Sequence, residues 1–178
     1  MRLADESGIN RWLLLAHVAL LIFLWWMPLN AFSGLPDQIA VHFDSAGQPD
    51  QFEPRSGLKL WMVPFVGMFI GLGILILTLF PGLYDFPRKN EVKNWPEHLR
   101  LPVYSTIKEM LLAVLLCLDV MFVFIEYGIV ASARNGHQVI AWAGIMIPAL
   151  IPIALAAYYV NRINGIIERT PPVTDTRR

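Results

Sequence analysis

The sequence predicts an all-α integral membrane protein, a four-transmembrane-helix bundle with a small ordered cap outside the membrane. Hydrophobic residues make up 56% of the chain and charged residues 16%, whereas a soluble domain has about 25% charged residues. Four apolar runs are close to the ~20 residues that cross a hydrocarbon core about 30 Å thick. These runs are residues 12–32, 60–80, 110–130 and 139–160, and the whole chain, 1–178, is predicted to be one membrane domain.

The first run, residues 12–32, has two interpretations, a signal peptide and a retained helix. The segment Ala31-Phe32-Ser33 resembles a weak cleavage site. The apolar run exceeds the 7–15 residues of a signal core, however. Trp12 lies at its inner end and Trp25-Trp26 near its outer end, as expected for anchors at the two membrane surfaces. We therefore predict a retained transmembrane helix.

The second run, residues 60–80, carries Gly67, Gly71 and Gly73. The four-residue spacing of Gly67 and Gly71 allows a neighbouring helix backbone to approach closely. The same spacing is found in helices that dimerise and in helices that pack within one chain. We expect packing inside the monomer.

The later elements follow from the same patterns. The inner loop, residues 81–108, is basic and contains Trp95, Tyr104 and the prolines Pro87, Pro96 and Pro102, so it is predicted to lie along the headgroups without forming a domain. Pro148 and Pro152 are expected to kink the fourth helix, because each removes a backbone donor. The tail, residues 161–178, is polar and is predicted to fray. The single cysteine, Cys117, is expected to be inert packing.

The distribution of Lys and Arg predicts the orientation. Eleven of the 14 basic residues fall in the N-terminal segment, the inner loop and the tail, and three fall in the other two loops. Basic residues accumulate on the cytoplasmic side of membrane proteins. We therefore expect both termini in the cytoplasm and the loop of residues 33–59 outside.

The outer loop, residues 33–59, contains a strand and a turn. Ile39, Val41 and Phe43 alternate with polar or small residues, which is the period of a β-strand. The segment from Ser45 to Asp50 is typical of a turn in which Gly47 adopts a positive φ. The sequence predicts that His42 and Asp44 point the same way and that Asp50 returns towards them.

The same loop carries a motif formed by Leu35-Pro36-Asp37, Val41-His42-Phe43 and Gly47-Gln48-Pro49-Asp50, with Asp44 directly after the Phe. This motif resembles a family of bacterial membrane proteins of unknown function, best known from the SdpI-like proteins that give immunity to the Sdp toxin. The resemblance implies a multi-pass protein of the bacterial cytoplasmic (inner) membrane, with no enzymatic activity. It also implies a receptor, immunity or signalling role in which the outer loop is the recognition element for protein–protein interaction. The known immunity proteins carry more transmembrane segments than this chain.

Three polar residues fall inside the predicted spans. Asp119 and Glu126 are seven residues apart and lie on one face of the third helix. His17 in the first helix is the nearest basic candidate partner for Asp119. We favour a structural carboxyl that fixes helix packing, and the alternatives are a proton or ion pathway and pairing with another subunit.

The outer loop also offers a metal hypothesis. His42, Asp44 and Asp50 are residue types that bind zinc or another divalent ion, and Glu126 and His137 lie on the same side of the membrane. The favoured alternative is that Asp50 caps the turn and His42 donates to a backbone carbonyl. No other cofactor is indicated.

Composition and motifs also restrict the function. The chain has no net charge, so nucleic acid is not an expected partner. The sequence contains no phosphate-binding glycine loop, serine elbow or zincin helix, so we expect no enzyme. The leading hypothesis is a receptor or immunity protein that contacts the lipid bilayer and an extracellular peptide. The alternatives are an accessory subunit bound to other membrane subunits and, third, an oligomeric transporter.

Overall fold

The computed structural model describes residues 10–46, 48–137, 139 and 149–170. Within these residues the elements are α1 (Arg11–Ala31), β1 (Gln38–Phe43), β2 (Pro49–Pro54), α2 (Lys59–Leu79), α3 (Lys89–Lys93), α4 (Glu97–Asn135) and α5 (Leu150–Arg169). The helices α1, α2, α4 and α5 are long and apolar enough to cross a membrane. The predicted four-helix membrane bundle with a strand-and-turn cap between its first two helices is confirmed.

Local sequence explains where the helices begin and end. At the start of α1, the Asn10 side-chain oxygen accepts hydrogen bonds from the backbone N–H groups of Trp12 and Leu13, at 3.0 and 3.4 Å. At the end of α4, Gly136 adopts a left-handed conformation with φ of 70°. Its N–H donates to the Ser132 carbonyl at 2.9 Å. A glycine in this position ends a helix without steric cost.

The helix α4 is the central element, because α1, α2 and α5 all contact it. Three apolar clusters follow its length. The far cluster joins α3, α4 and α5, the middle cluster joins α1, α2 and α4, and the hairpin-side cluster joins the base of β1 to α1, α2 and α4. Their buried residues are, in that order, Tyr84, Val92, Trp95, Val103, Ile107, Ile163 and Ile167; Leu24, Val63 and Phe122; and Ala31, Leu35, Ile39, Leu60, Val130 and Ala133.

The third span differs from its predicted bounds. It begins at Glu97 instead of residue 110, and its additional turns are amphipathic. Val103 and Ile107 are buried on one face of this extension, while Glu97 is exposed. The prediction of a loop over residues 81–108 is therefore wrong for residues 97–108, which form the first turns of α4. A search for apolar runs misses such a segment because only one face of it is hydrophobic.

The fourth helix also differs. Its described part is Leu150–Arg169, so residues 161–169 are helical and not part of a frayed tail. Ile163 and Ile167 are buried in the far cluster, which explains why this end of α5 is ordered. Pro152 lies in the first turn of the described part of α5, where a missing N–H breaks no helical hydrogen bond. The kink expected at Pro152 stays a prediction. Pro148 lies outside the described residues.

Candidate functional site

The hairpin of β1 and β2 is an antiparallel two-stranded sheet. Its register pairs Gln38 with Pro54 and His42 with Gln51, and it is irregular on both sides of His42. The predicted return of the chain is confirmed, because His42 Nδ1 lies 2.5 Å from Asp50 Oδ1. The two side chains are 58% and 46% exposed, so this pair faces solvent.

The turn is capped by Asp44 and not by Asp50. Asp44 Oδ1 accepts hydrogen bonds from the N–H groups of Ala46 and Gln48, at 2.8 and 2.9 Å. The Asp44 N–H also donates to the Gln48 carbonyl at 2.9 Å. Asp residues commonly bond to backbone a few residues ahead in this way. The expectation for Gly47 lies outside the described residues.

Of the three proposed metal ligands, the structure pairs His42 with Asp50 and directs an Asp44 oxygen to the turn backbone. No group of three His, Cys, Asp or Glu side chains that could hold a metal ion occurs within the described ranges. Glu126 is buried inside the bundle, whereas His137 is exposed after the end of α4. The metal hypothesis stays a prediction.

The base of the hairpin is fixed to the bundle. Leu35 and Ile39 are 3% and 2% exposed in the hairpin-side cluster, whereas Pro36 and Asp37 are exposed. The Arg55 guanidinium donates to the Leu35 carbonyl at 2.8 Å, and it lies over the Phe32 ring at 5.2 Å. Sequence reasoning counted Arg55 only as a charge. The only signal for this role of Arg55 in the sequence was a cation that follows a strand closely and lies near an aromatic residue.

The second candidate site lies inside the membrane-spanning region. His17 Nδ1 of α1 is 2.6 Å from Asp119 Oδ2 of α4, and the two residues are 2% and 1% exposed. This partnership was predicted from the sequence. A Cβ on Gly71 of α2 would lie 2.7 Å from His17 Cε1. Three helices therefore meet at this ring.

Two of the three glycines of α2, Gly67 and Gly71, pack within the chain, as expected. A Cβ at Gly67 would lie 2.9 Å from a Leu24 methyl carbon and 3.3 Å from the Phe122 ring. Gly73, two residues beyond Gly71, has nothing within 4 Å of its Cβ position. The close approach therefore belongs to the Gly67–Gly71 face.

Glu126 completes the buried polar face of α4. It is 0% exposed, and neither carboxyl oxygen has a hydrogen-bond partner within the described part of the chain. The same holds for Oδ1 of Asp119. The structure thus joins His17 to Asp119 and leaves Glu126 as a separate buried carboxyl.

A third feature, on the far side of the bundle, was not foreseen. Tyr84 is 6% exposed in the far cluster, and its hydroxyl donates to the Thr78 carbonyl at 3.2 Å. Burial raises the pKa of Tyr84 to about 12. Nearby, Arg88 adopts a φ of 59° and binds Glu91 with two nitrogens. That contact holds the pKa of Glu91 below its ordinary value.

Comparisons with known proteins find similarity that includes the hairpin, but the matching family and protein carry no assigned activity. Residues 19–68 match the family described as "Domain of unknown function (DUF1648)". This segment runs from α1 through the hairpin into α2. A protein of Archaeoglobus fulgidus described as "Uncharacterized protein" is 24% identical over 174 residues, which cover 88% of this chain and 90% of that protein. No solved structure matches the chain.

Proposed function

We propose that this chain is a non-enzymatic receptor or immunity-type membrane protein whose hairpin recognises an extracellular peptide. The observation that supports it best is the contrast within the hairpin. Its base is buried and hydrogen bonded, while its outer half is exposed. A rigid base with an accessible end is what a recognition element needs, because little conformational entropy is lost on binding.

The buried base restricts how the hairpin can move. Ile39 and Leu35 pack with Leu60 of α2 and Val130 of α4. The Arg55 N–H donates to the Asp37 carbonyl at 3.0 Å, outside the paired strands. These contacts orient the strands relative to both neighbouring helices.

The exposed half offers groups that bind peptides. Phe52 of β2 is 57% exposed, and the His42–Asp50 pair is exposed as well. The outer edge of β2 is unpaired within the two-stranded sheet. An extended peptide can add to such an edge through main-chain hydrogen bonds. Pro49 and Pro54 bound this edge and limit its pairing to the short segment between them.

The resemblance to SdpI-like proteins supports a toxin peptide as the partner, and it supports the bacterial cytoplasmic membrane as the location. The basic residues of the far side support an orientation with both termini in the cytoplasm. The hairpin would then face the medium, where such a peptide arrives.

The test is site-specific photocrosslinking in bacterial cells that express the full chain. A photoreactive residue replaces Phe52 in one variant and Glu97, which is exposed on the opposite side of the bundle, in the matched control. We expect the Phe52 variant to capture an added Sdp-type toxin peptide and the Glu97 variant to capture none. Expression should also protect the cells, and the double variant His42→Ala, Phe52→Ala should reduce that protection.

Two outcomes would contradict the proposal. Equal capture at both positions, or full protection by the double variant, would remove the hairpin as recognition element. Purification in mild detergent distinguishes the proposed role from the alternative role of an accessory subunit. Isolation of the chain in fixed stoichiometry with another membrane protein, without protection, would favour an accessory subunit.

A further inference from the structure

The buried face of α4 carries two carboxyl groups of different character. Asp119 has a partner, because its Oδ2 lies 2.6 Å from His17 Nδ1. Glu126 has none within the described residues. Seven residues of helix separate them, which places their Cα atoms about 10 Å apart at 1.5 Å per residue. Glu126 makes no hydrogen bond to the His17–Asp119 pair.

Glu126 lies between two apolar layers. One helical turn away on one side is Phe122 of the middle cluster, and one turn away on the other is Val130 of the hairpin-side cluster. The same stretch of α1 and α2 contains Pro28 and Pro64, which are both buried. Apolar surroundings cannot solvate a carboxylate.

On each neighbouring element, one charged or titratable group has a partner other than Glu126. On α1, His17 binds Asp119. On α2, Lys59 at the hairpin end binds Glu53 at 2.9 Å. On α5, Arg162 binds Glu109 at 3.2 Å. On β1, His42 binds Asp50 in solvent, and beyond α4 His137 is exposed.

The net charge of the His17–Asp119 pair also fails to compensate Glu126. A proton on His17 gives a cation beside an anion, and a proton on Asp119 gives two neutral groups. Both arrangements have no net charge. An ionised Glu126 would therefore remain an uncompensated charge inside the bundle.

We propose that Glu126 is a proton-binding site within the membrane-spanning region, occupied in the folded bundle, and that loss of its proton loosens the base of the hairpin. A neutral carboxyl can stay buried among apolar groups at a much lower cost in free energy than a carboxylate.

The site is connected to the hairpin through α4. Val130 and Ala133, one and two turns beyond Glu126, pack with Leu35 and Ile39. When the proton leaves to water, a charge remains between α1, α2 and α4, and it favours a looser arrangement that admits water. This inference does not depend on which partner the hairpin binds.

The test uses infrared spectroscopy of the full chain in detergent at pH 8. Exposed carboxyl groups are ionised at this pH, so a protonated carboxyl band reports a buried acid. We expect such a band, and we expect at least part of it to shift when the protein is labelled with carboxyl-¹³C glutamate. Any part that arises from a protonated Asp119 would shift only with labelled aspartate. This arm needs no substitution and therefore does not depend on whether a variant folds.

A matched pair of variants assigns the band. Glu126→Gln should abolish the part of the band that shifts with labelled glutamate, whereas Glu109→Gln, which changes a carboxyl paired with Arg162 at the surface, should keep it. Alkaline pH should increase protease cleavage in the hairpin of the wild type and of Glu109→Gln, and it should do so less in Glu126→Gln. Absence of the band, a shift with labelled aspartate alone, or equal alkaline cleavage in all three proteins would overturn the proposal.

Discussion

The contact between His17 and Asp119 shows how a membrane bundle accommodates a charged residue. An Asp at the centre of a transmembrane helix costs roughly 2.5–3.5 kcal/mol on insertion scales. Here that residue is 1% exposed and faces a histidine of another helix. The contact joins the first and third spanning helices, which are distant in sequence. Its geometric effect is to fix the rotation of α1 relative to α4.

Substitution of Asp119 tests this role. Asp119→Leu leaves His17 buried without a partner, and removal of one member of a buried pair costs about 3–5 kcal/mol. Asp119→Asn keeps a hydrogen-bonding oxygen and should be milder. Thermal unfolding in detergent measures both, with Glu97→Leu, exposed on the same helix, as the control. Wild-type stability of Asp119→Leu would show that the pair does not hold the helices together.

Functional assays of the same two variants distinguish structure from ion movement. A structural carboxyl predicts that Asp119→Asn keeps activity better than Asp119→Leu. A carboxyl that carries protons predicts that both lose activity equally, because neither variant can titrate. The measurement is the protection of expressing cells from the toxin, which is the activity proposed for this chain.

Gly71 offers a second test at the scale of one residue. A Cβ there would meet His17 Cε1 at 2.7 Å, and the ring cannot move freely because Asp119 holds it. Gly71→Ala should therefore destabilise the bundle by about 1–3 kcal/mol, as overpacking does. Gly73→Ala is the matched control, since nothing lies within 4 Å. It should be neutral or slightly stabilising, because Ala favours helix. Equal unfolding temperatures for both variants would contradict the close packing.

At the scale of elements, the sequence predicted those strands and turns whose structure depends on the local residue pattern. The alternation of Ile39, Val41 and Phe43 predicted β1, and the turn after Asp44 predicted the return of Asp50 to His42. It failed where a segment is ordered by distant partners. The amphipathic start of α4 and the end of α5 are held by each other, through Val103, Ile107, Ile163 and Ile167. Neither segment is apolar enough by itself for its sequence to predict a helix.

The ionisation of Tyr84 tests whether the far cluster excludes water. Its pKa is raised from 10.0 to about 12 because the hydroxyl is buried. A group with a raised folded-state pKa contributes stability that is present below pH 10 and is lost as the pH rises through 12. The stability of Tyr84→Phe should therefore fall less than that of the wild type as the pH rises through this range. The variant also loses one hydrogen bond, which is worth roughly 0.5–1.5 kcal/mol. The absorbance difference between the two proteins reports tyrosinate formation directly. Titration of Tyr84 near pH 10 would show that the cluster is open to water.

At the scale of the whole molecule, the length of α4 divides the chain into two regions. Its 39 residues extend about 58 Å at 1.5 Å per residue, whereas the hydrocarbon core is about 30 Å thick. The helix therefore projects beyond the membrane, and its first turns lie in the far cluster together with α3. The basic residues Arg88, Lys89 and Lys93 lie in or beside α3. A packed, basic unit on one side and an exposed hairpin on the other make the two faces chemically different.

The orientation of these faces is the last prediction. Cysteines placed at Ser45 in the hairpin turn and at Asn90 in α3 form a matched pair, since both positions are exposed on opposite sides of the bundle. The background is a variant in which Cys117 is replaced by alanine, because it is the chain's single cysteine. Eleven of the 14 basic residues fall in the three segments predicted to share the side of α3, so the positive-inside rule predicts that this side faces the cytoplasm. An impermeant thiol reagent should then label the Ser45→Cys variant in intact cells and the Asn90→Cys variant only after permeabilisation. Labelling with the opposite sidedness would invert the topology and place the hairpin in the cytoplasm, where it could not meet an extracellular peptide.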